Sequence, residues 1–94
     1  MSEALLAHEA EFVVTSDLGL HARPAGQFVA LADRFEAEIA VGRGDEWVDG
    51  RSVLSLLSLA ASKGTRLCVR ATGPDAREAV EALGALLERS GPAD

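Results

Sequence analysis

Residues 65–87 carry two hydrophobic periods back to back. The first is Thr65-Arg66-Leu67-Cys68-Val69-Arg70-Ala71; the second follows the Gly73-Pro74 break and carries Ala76, Ala79, Val80, Leu83, Leu86 and Leu87. Leu67, Val69 and Ala71 alternate with Arg66, Cys68 and Arg70, which is the period of a strand with one dry face. Beyond the break, apolar residues recur at i, i+3, i+4, i+7, i+10 and i+11, one face of a helix that Pro74 opens. A one-faced strand and a one-faced helix both bury their apolar sides if the helix lies on the sheet. That arrangement is an α+β domain, helices on one face of a mostly antiparallel sheet whose other face meets water.

The same two periods recur on the N-terminal side. Glu11–Ser16 alternates, with Phe12 and Val14 inward and Glu11, Val13 and Thr15 outward. Pro24 marks a helix start, and Ala25, Phe28, Val29, Ala32 and Phe35 form its stripe. Glu36–Val41 is a second strand with Ala37, Ile39 and Val41 on one side; Gly42-Arg43-Gly44-Asp45 is a turn; Glu46–Asp49 is the returning strand. Ser52–Ala61 is a short helix, apolar nearly all round, closed by Lys63 and a capping Gly64. The predicted order is β-α-β-β-α-β-α. A two-turn helix on one sheet buries one side, so part of Val53, Leu54 and Leu57 stays exposed unless the helix is covered all round. The pattern alone leaves both arrangements open.

Composition sets the class. The chain has 94 residues, of which 48% are hydrophobic, 26% are charged and one is cysteine. That is one small domain, read as residues 11–90, behind a loose leader at 1–10 in which His8 is solvated. A net charge of −6 argues against nucleic acid and anionic membrane as partners. No apolar run reaches the ~18 residues of a membrane span, and the start lacks the basic end of a secretory signal. A cytoplasmic protein is expected. A single Cys68 and two distant histidines, His8 and His21, give no metal-ligand cluster.

One local stretch carries chemistry: Gly19-Leu20-His21-Ala22-Arg23-Pro24-Ala25. It places a histidine just before a helix N-terminus and an arginine two residues on. A helix start presents backbone N–H groups and partial positive charge to an anion. Arginine adds a planar charged fork suited to phosphate oxygens. Imidazole is largely neutral and nucleophilic near pH 7. The set suits a histidine that takes a phosphoryl group and holds it briefly. From these residues alone, a plain loop or cap role for His21 also stands.

The stretch resembles the active-site motif of the HPr family, the histidine-containing phosphocarriers of the phosphoenolpyruvate-dependent phosphotransferase system. A second region, Val48-Asp49-Gly50-Arg51-Ser52-Val53-Leu54, then Leu57-Ser58-Leu59 and Lys63-Gly64, resembles that family's second signature. Gly50 departs from the larger residue often found there. The resemblance covers about residues 11–89. It implies an open-faced β-sandwich with sheet order 1-4-2-3. It implies that His21 accepts the phosphoryl group on Nδ1 from phospho-Enzyme I and passes it to a histidine of an Enzyme IIA domain. Arg23 and the backbone amides of Ala22 and Arg23 would bind the phosphoryl group. Val53, Leu54 and Leu57, with Arg51, would form the docking patch, and Lys63 would add charge beside it. Ser52 would be a target for a serine kinase, its alternative role being the N-cap of the short helix. The carrier would be a monomer without a cofactor, an intermediate of a multi-component transfer and not a stand-alone enzyme. A non-catalytic interaction module that acts through the docking patch is the competing reading.

Overall fold

A computed structural model of the protein describes residues 6–89. Seven elements follow in the expected order: β1 (Ala7–Val13), α1 (Ala22–Ala32), β2 (Glu38–Arg43), β3 (Glu46–Asp49), α2 (Val53–Ser58), β4 (Arg66–Thr72) and α3 (Ala76–Glu88). The strands form one sheet in the order β1-β4-β2-β3, with every neighbouring pair antiparallel. The register sets Phe12 opposite Leu67, and Val69 between Ala10 and Val41. Leu67, Val69, Ala71, Ile39 and Val41 are buried on the covered face. The α3 helix packs across β1 and β4, α1 packs on α3, and α2 lies against α1 and β3. The core therefore sits between one sheet face and the helices, with Phe28, Leu56, Leu59, Leu67 and Leu83 fully buried at its centre. Burying side chains of this size stabilises the fold by about 1.5–3 kcal/mol each.

Several boundaries differ from the sequence reading, each for a physical reason. The strand β1 starts at Ala7, so Ala7–Ala10 belong to the sheet and not to a leader; residues 1–5 of that reading lie outside the described residues. Pairing with Val69–Thr72 recruits this stretch, whose small and polar side chains give a weak alternation. His8 is accordingly half-buried opposite Ala71. The strand ends at Val13; Val14 stays buried and keeps two backbone bonds, donating to Thr65 and accepting from Gly64. Gly42 and Arg43 extend β2, and the turn is Gly44-Asp45 alone, with Gly44 at φ +61°. Gly42 is a packing position: a Cβ there would lie 2.8 Å from the Trp47 ring.

Helix starts and stops shift as well. Pro24 occupies the third position of α1, still within the first turn, where a missing N–H costs no helical bond. Asp75, not Pro74, is the N-cap of α3. Its carboxylate accepts the N–H groups of Glu36 and Ala37, both at 2.9 Å, which ties α3 to the loop before β2. Those two amides, Glu36's first, hold the Asp75 carboxyl below the usual carboxylate range. The helix α2 is shorter than Ser52–Ala61. Ser52 caps it by accepting the Ser55 N–H at 3.2 Å, and Ala60 ends it in the left-handed region at φ +51°. Gly64 does not close α2; it lies in the turn before β4. The apolar run outlasts the helix because Leu59 and Ala61 still reach the core from irregular backbone. Gly50 is buried with no room for a side chain, since a Cβ would lie 2.5 Å from Ile39 Cγ2. Its N–H donates to the Ile39 carbonyl at 2.9 Å, so the start of α2 is fixed against β2.

Candidate functional site

The loop before α1 is built by backbone contacts. The N–H of Gly19 donates to the Ser16 carbonyl at 2.9 Å, closing a turn with Gly19 at φ +72°. The N–H of the buried Leu20 donates to the Ala61 carbonyl at 2.8 Å. An exposed ion pair, Lys63 Nζ to Asp17 Oδ1 at 2.8 Å, adds a third tie. Lys63's hydrogen bond holds the Asp17 carboxyl below its ordinary value.

His21 emerges from this loop at the N-cap position of α1, with extended backbone at φ −90° and ψ −171°. Its carbonyl accepts the N–H of Ala25 at 3.0 Å, the first helical bond. Its imidazole is half-buried and does not cap the first-turn amides. Ala22 and Arg23 are the first two helical residues, and both are exposed. In a helix their N–H groups have no carbonyl one turn back and point out of the N-terminus. Pro24 contributes no N–H, so this helix end offers the amides of Ala22 and Arg23 beside the imidazole. Sequence reasoning placed His21, Ala22 and Arg23 together, and they do come together.

Beside Arg23, one turn along α1, Gln27 Oε1 accepts a bond from Arg89 Nη2 at 3.1 Å. Arg89 was not read from the sequence. It arrives only because the end of α3 packs on α1, and no local pattern announces it. Among the described residues no group of His, Cys, Asp and Glu could hold a metal ion.

The apolar surface is narrower than expected on α2 and wider beyond it. Leu54 is 80% exposed, while Val53 and Leu57 are half-buried against the core. Leu18, at the tip of the His21 loop, is 70% exposed. Its signal was available: a leucine between Asp17 and Gly19 in a turn has no core to join. Arg51 does not project outward. Its Nη2 donates to the carbonyls of Ala32 at 3.0 Å and Phe35 at 2.7 Å, and its Nε faces Asp33 at 3.4 Å. It serves the C-terminus of α1, where unsatisfied carbonyls and negative partial charge favour a cation. Lys63 is likewise paired with Asp17. Arg23 stands in the first turn of α1 next to His21, and Arg89 reaches α1 from the end of α3 through Gln27.

Sequence comparison matches residues 8–89 to the family described as the PTS HPr component phosphorylation site. The chain belongs to the HPr family. It is 42% identical over 74 residues to the phosphocarrier protein HPr of Pseudomonas putida, covering 78% of this chain and 82% of that one. It is 40% identical over 82 residues to the HPr of Vibrio cholerae, covering 87% and 96%. The crystal structure of HPr from Bacillus anthracis superposes with a TM-score of 0.83 at 36% identity, covering 86% of this chain and 96% of that chain. HPr proteins are phosphocarriers of the phosphotransferase system, and the helix end that carries His21 lies within the matched region. No helix among the described residues is long and apolar enough to cross a membrane.

Proposed function

We propose that the protein accepts a phosphoryl group on His21 Nδ1 from phospho-Enzyme I and passes it to a histidine of an Enzyme IIA domain. The observation that carries this reading is the placing of His21 at the mouth of α1, beside Arg23 and the first-turn amides. The Nδ1 lone pair attacks phosphorus. The new P–N bond forms as the bond to the donor nitrogen breaks, and that electron pair returns to the donor imidazole. Transfer of this kind needs positioning and charge stabilisation more than covalent help. The helix end is suited to a carrier. A charge at a helix N-terminus gains about 0.3–2 kcal/mol, enough to receive a phosphate and too little to trap it. The partners supply the rest of the cage.

Incubation with Enzyme I, magnesium and phosphoenolpyruvate tests the reading. Intact-mass measurement should show one acid-labile phosphoryl adduct. No adduct, with an Enzyme I shown to be active, would leave only the binding-module role.

Leu54, Leu18 and the half-buried Val53 and Leu57 form the docking surface in this reading, and the carrier acts as a cytoplasmic monomer. Leu54→Glu should raise the KM for phospho-Enzyme I about tenfold or more, as loss of an interface anchor does, with kcat nearly unchanged. Its melting temperature should hold, because a side chain this exposed contributes little to the core. Steady-state transfer and a thermal melt separate the two effects. Ser52 already caps α2. A phosphate there would keep favourable contact with the helix start while setting about two negative charges beside Leu54, which would weaken docking without unfolding the protein.

A further inference from the structure

The helix α2 ends after six residues, and the backbone beyond it takes an unusual path. Ala60 lies at φ +51°, the one non-glycine in the left-handed region among the described residues. That conformation is disfavoured for alanine and persists where surrounding contacts impose it. Here Arg43, the last residue of β2, reaches across from the hairpin. Its Nη1 donates to the carbonyl of Leu59 at 2.8 Å and to that of Ala60 at 3.0 Å. Two consecutive carbonyls thus converge on one guanidinium nitrogen at the point where the chain turns left-handed. The next carbonyl, that of Ala61, accepts the N–H of Leu20. Leu20 directly precedes His21, and Gly19 leaves no room for a side chain there, since a Cβ would lie 2.5 Å from the Ala61 carbonyl oxygen and 2.8 Å from Ser62 Cα.

We infer that Arg43 is a positioning residue for phosphoryl transfer. It fixes the left-handed Ala60, which sets the direction of the Ala61 carbonyl, which holds Leu20 and hence the imidazole of His21. Its guanidinium is spent on these carbonyls and acts through them. The inference rests on the phosphocarrier reading of His21. Misplacing a reacting atom by a fraction of an ångström slows transfer without weakening docking. The signature is therefore in kcat and not in KM.

The test compares the full chain with Arg43→Ala and Arg43→Lys. Hydrogen exchange is followed at the amides of Leu20 and Val69, and phosphoryl transfer from Enzyme I is measured with kcat and KM separated. Arg43→Ala should lower protection at Leu20 by about tenfold or more while Val69, in the centre of the sheet, changes by less than about twofold. It should lower kcat about tenfold at unchanged KM. Lysine can also donate to both carbonyls, so Arg43→Lys should recover most of both losses. The inference is overturned by unchanged protection at Leu20, by equal loss at Leu20 and Val69, or by loss at Leu20 with kcat intact. If the wild type carries no phosphoryl group, the carrier reading fails on its own and Arg43 has no transfer to position. Exchange at Leu20 would then still decide whether Arg43 holds the loop.

Discussion

His21→Ala protein should gain no phosphoryl group from phospho-Enzyme I, under conditions in which the wild type gains one acid-labile adduct. The expected effect is complete because nothing else in the described site can replace the imidazole. Arg23 is a cation without a nucleophilic lone pair at neutral pH, and the amides of Ala22 and Arg23 only donate. The fold should survive the change. The imidazole is half-buried and does not cap α1. Its loss should cost no more than about 0.5 kcal/mol, a melting shift of about 2–4 °C for a domain of this size. Intact mass before and after brief acid treatment, with a thermal melt of each protein, makes the comparison. An acid-stable adduct surviving in the variant would place phosphate on a hydroxyl, Ser52 being the first to examine. An acid-labile one would point to His8, which lies in β1 beside Gly73, Pro74, Ala76 and Arg77 at the start of α3.

The elements legible in the sequence were those whose side chains obey one period throughout. Ala25, Phe28 and Ala32 named the buried side of α1, and Leu67, Val69 and Ala71 named that of β4. The residues that misled were punctuation. Gly42 looked like a breaker and is the floor under Trp47. Gly64 looked like a helix cap, while the turn belongs to Ala60. Neither fact is local, since each depends on an atom from another element. The site divides along the same line. His21, Ala22 and Arg23 are consecutive, so one helix start brings them together and sequence suffices. Resemblance to the family points Arg51 and Lys63 toward the docking patch. Within the molecule the carbonyls of Ala32 and Phe35 engage Arg51, and the carboxylate of Asp17 engages Lys63. A cation's address is set by acceptors that folding delivers, which is also why Arg43 and Arg89 carried no signal.

Gly19→Ala should be the most damaging single-methyl change in the loop. Two costs fall on one atom. At φ +72° any Cβ is strained, by about 1–2 kcal/mol for a left-handed L-residue. That Cβ would also lie 2.5 Å from the Ala61 carbonyl oxygen and 2.8 Å from Ser62 Cα. Both are backbone atoms, with no rotamer to swing aside, so the overlap adds about 1–3 kcal/mol. The entropy that alanine removes from the unfolded chain offsets about 0.4–1 kcal/mol. A net loss of about 2–3 kcal/mol should lower the melting temperature by about 10–20 °C. Transfer should fall further than stability explains. Relief of the clash lifts the loop from Ala61, stretches the Leu20 bond and moves His21, and a displacement near 1 Å can cost about 100-fold in rate. Gly44→Ala separates the two costs, because Gly44 has a similar φ of +61° but nothing within 4 Å of a Cβ. It should lose about 1 kcal/mol and leave transfer untouched. If the two variants melt alike and transfer alike, the loop is not seated on Ala61. The path from the end of α2 to His21 would then be broken at its first contact.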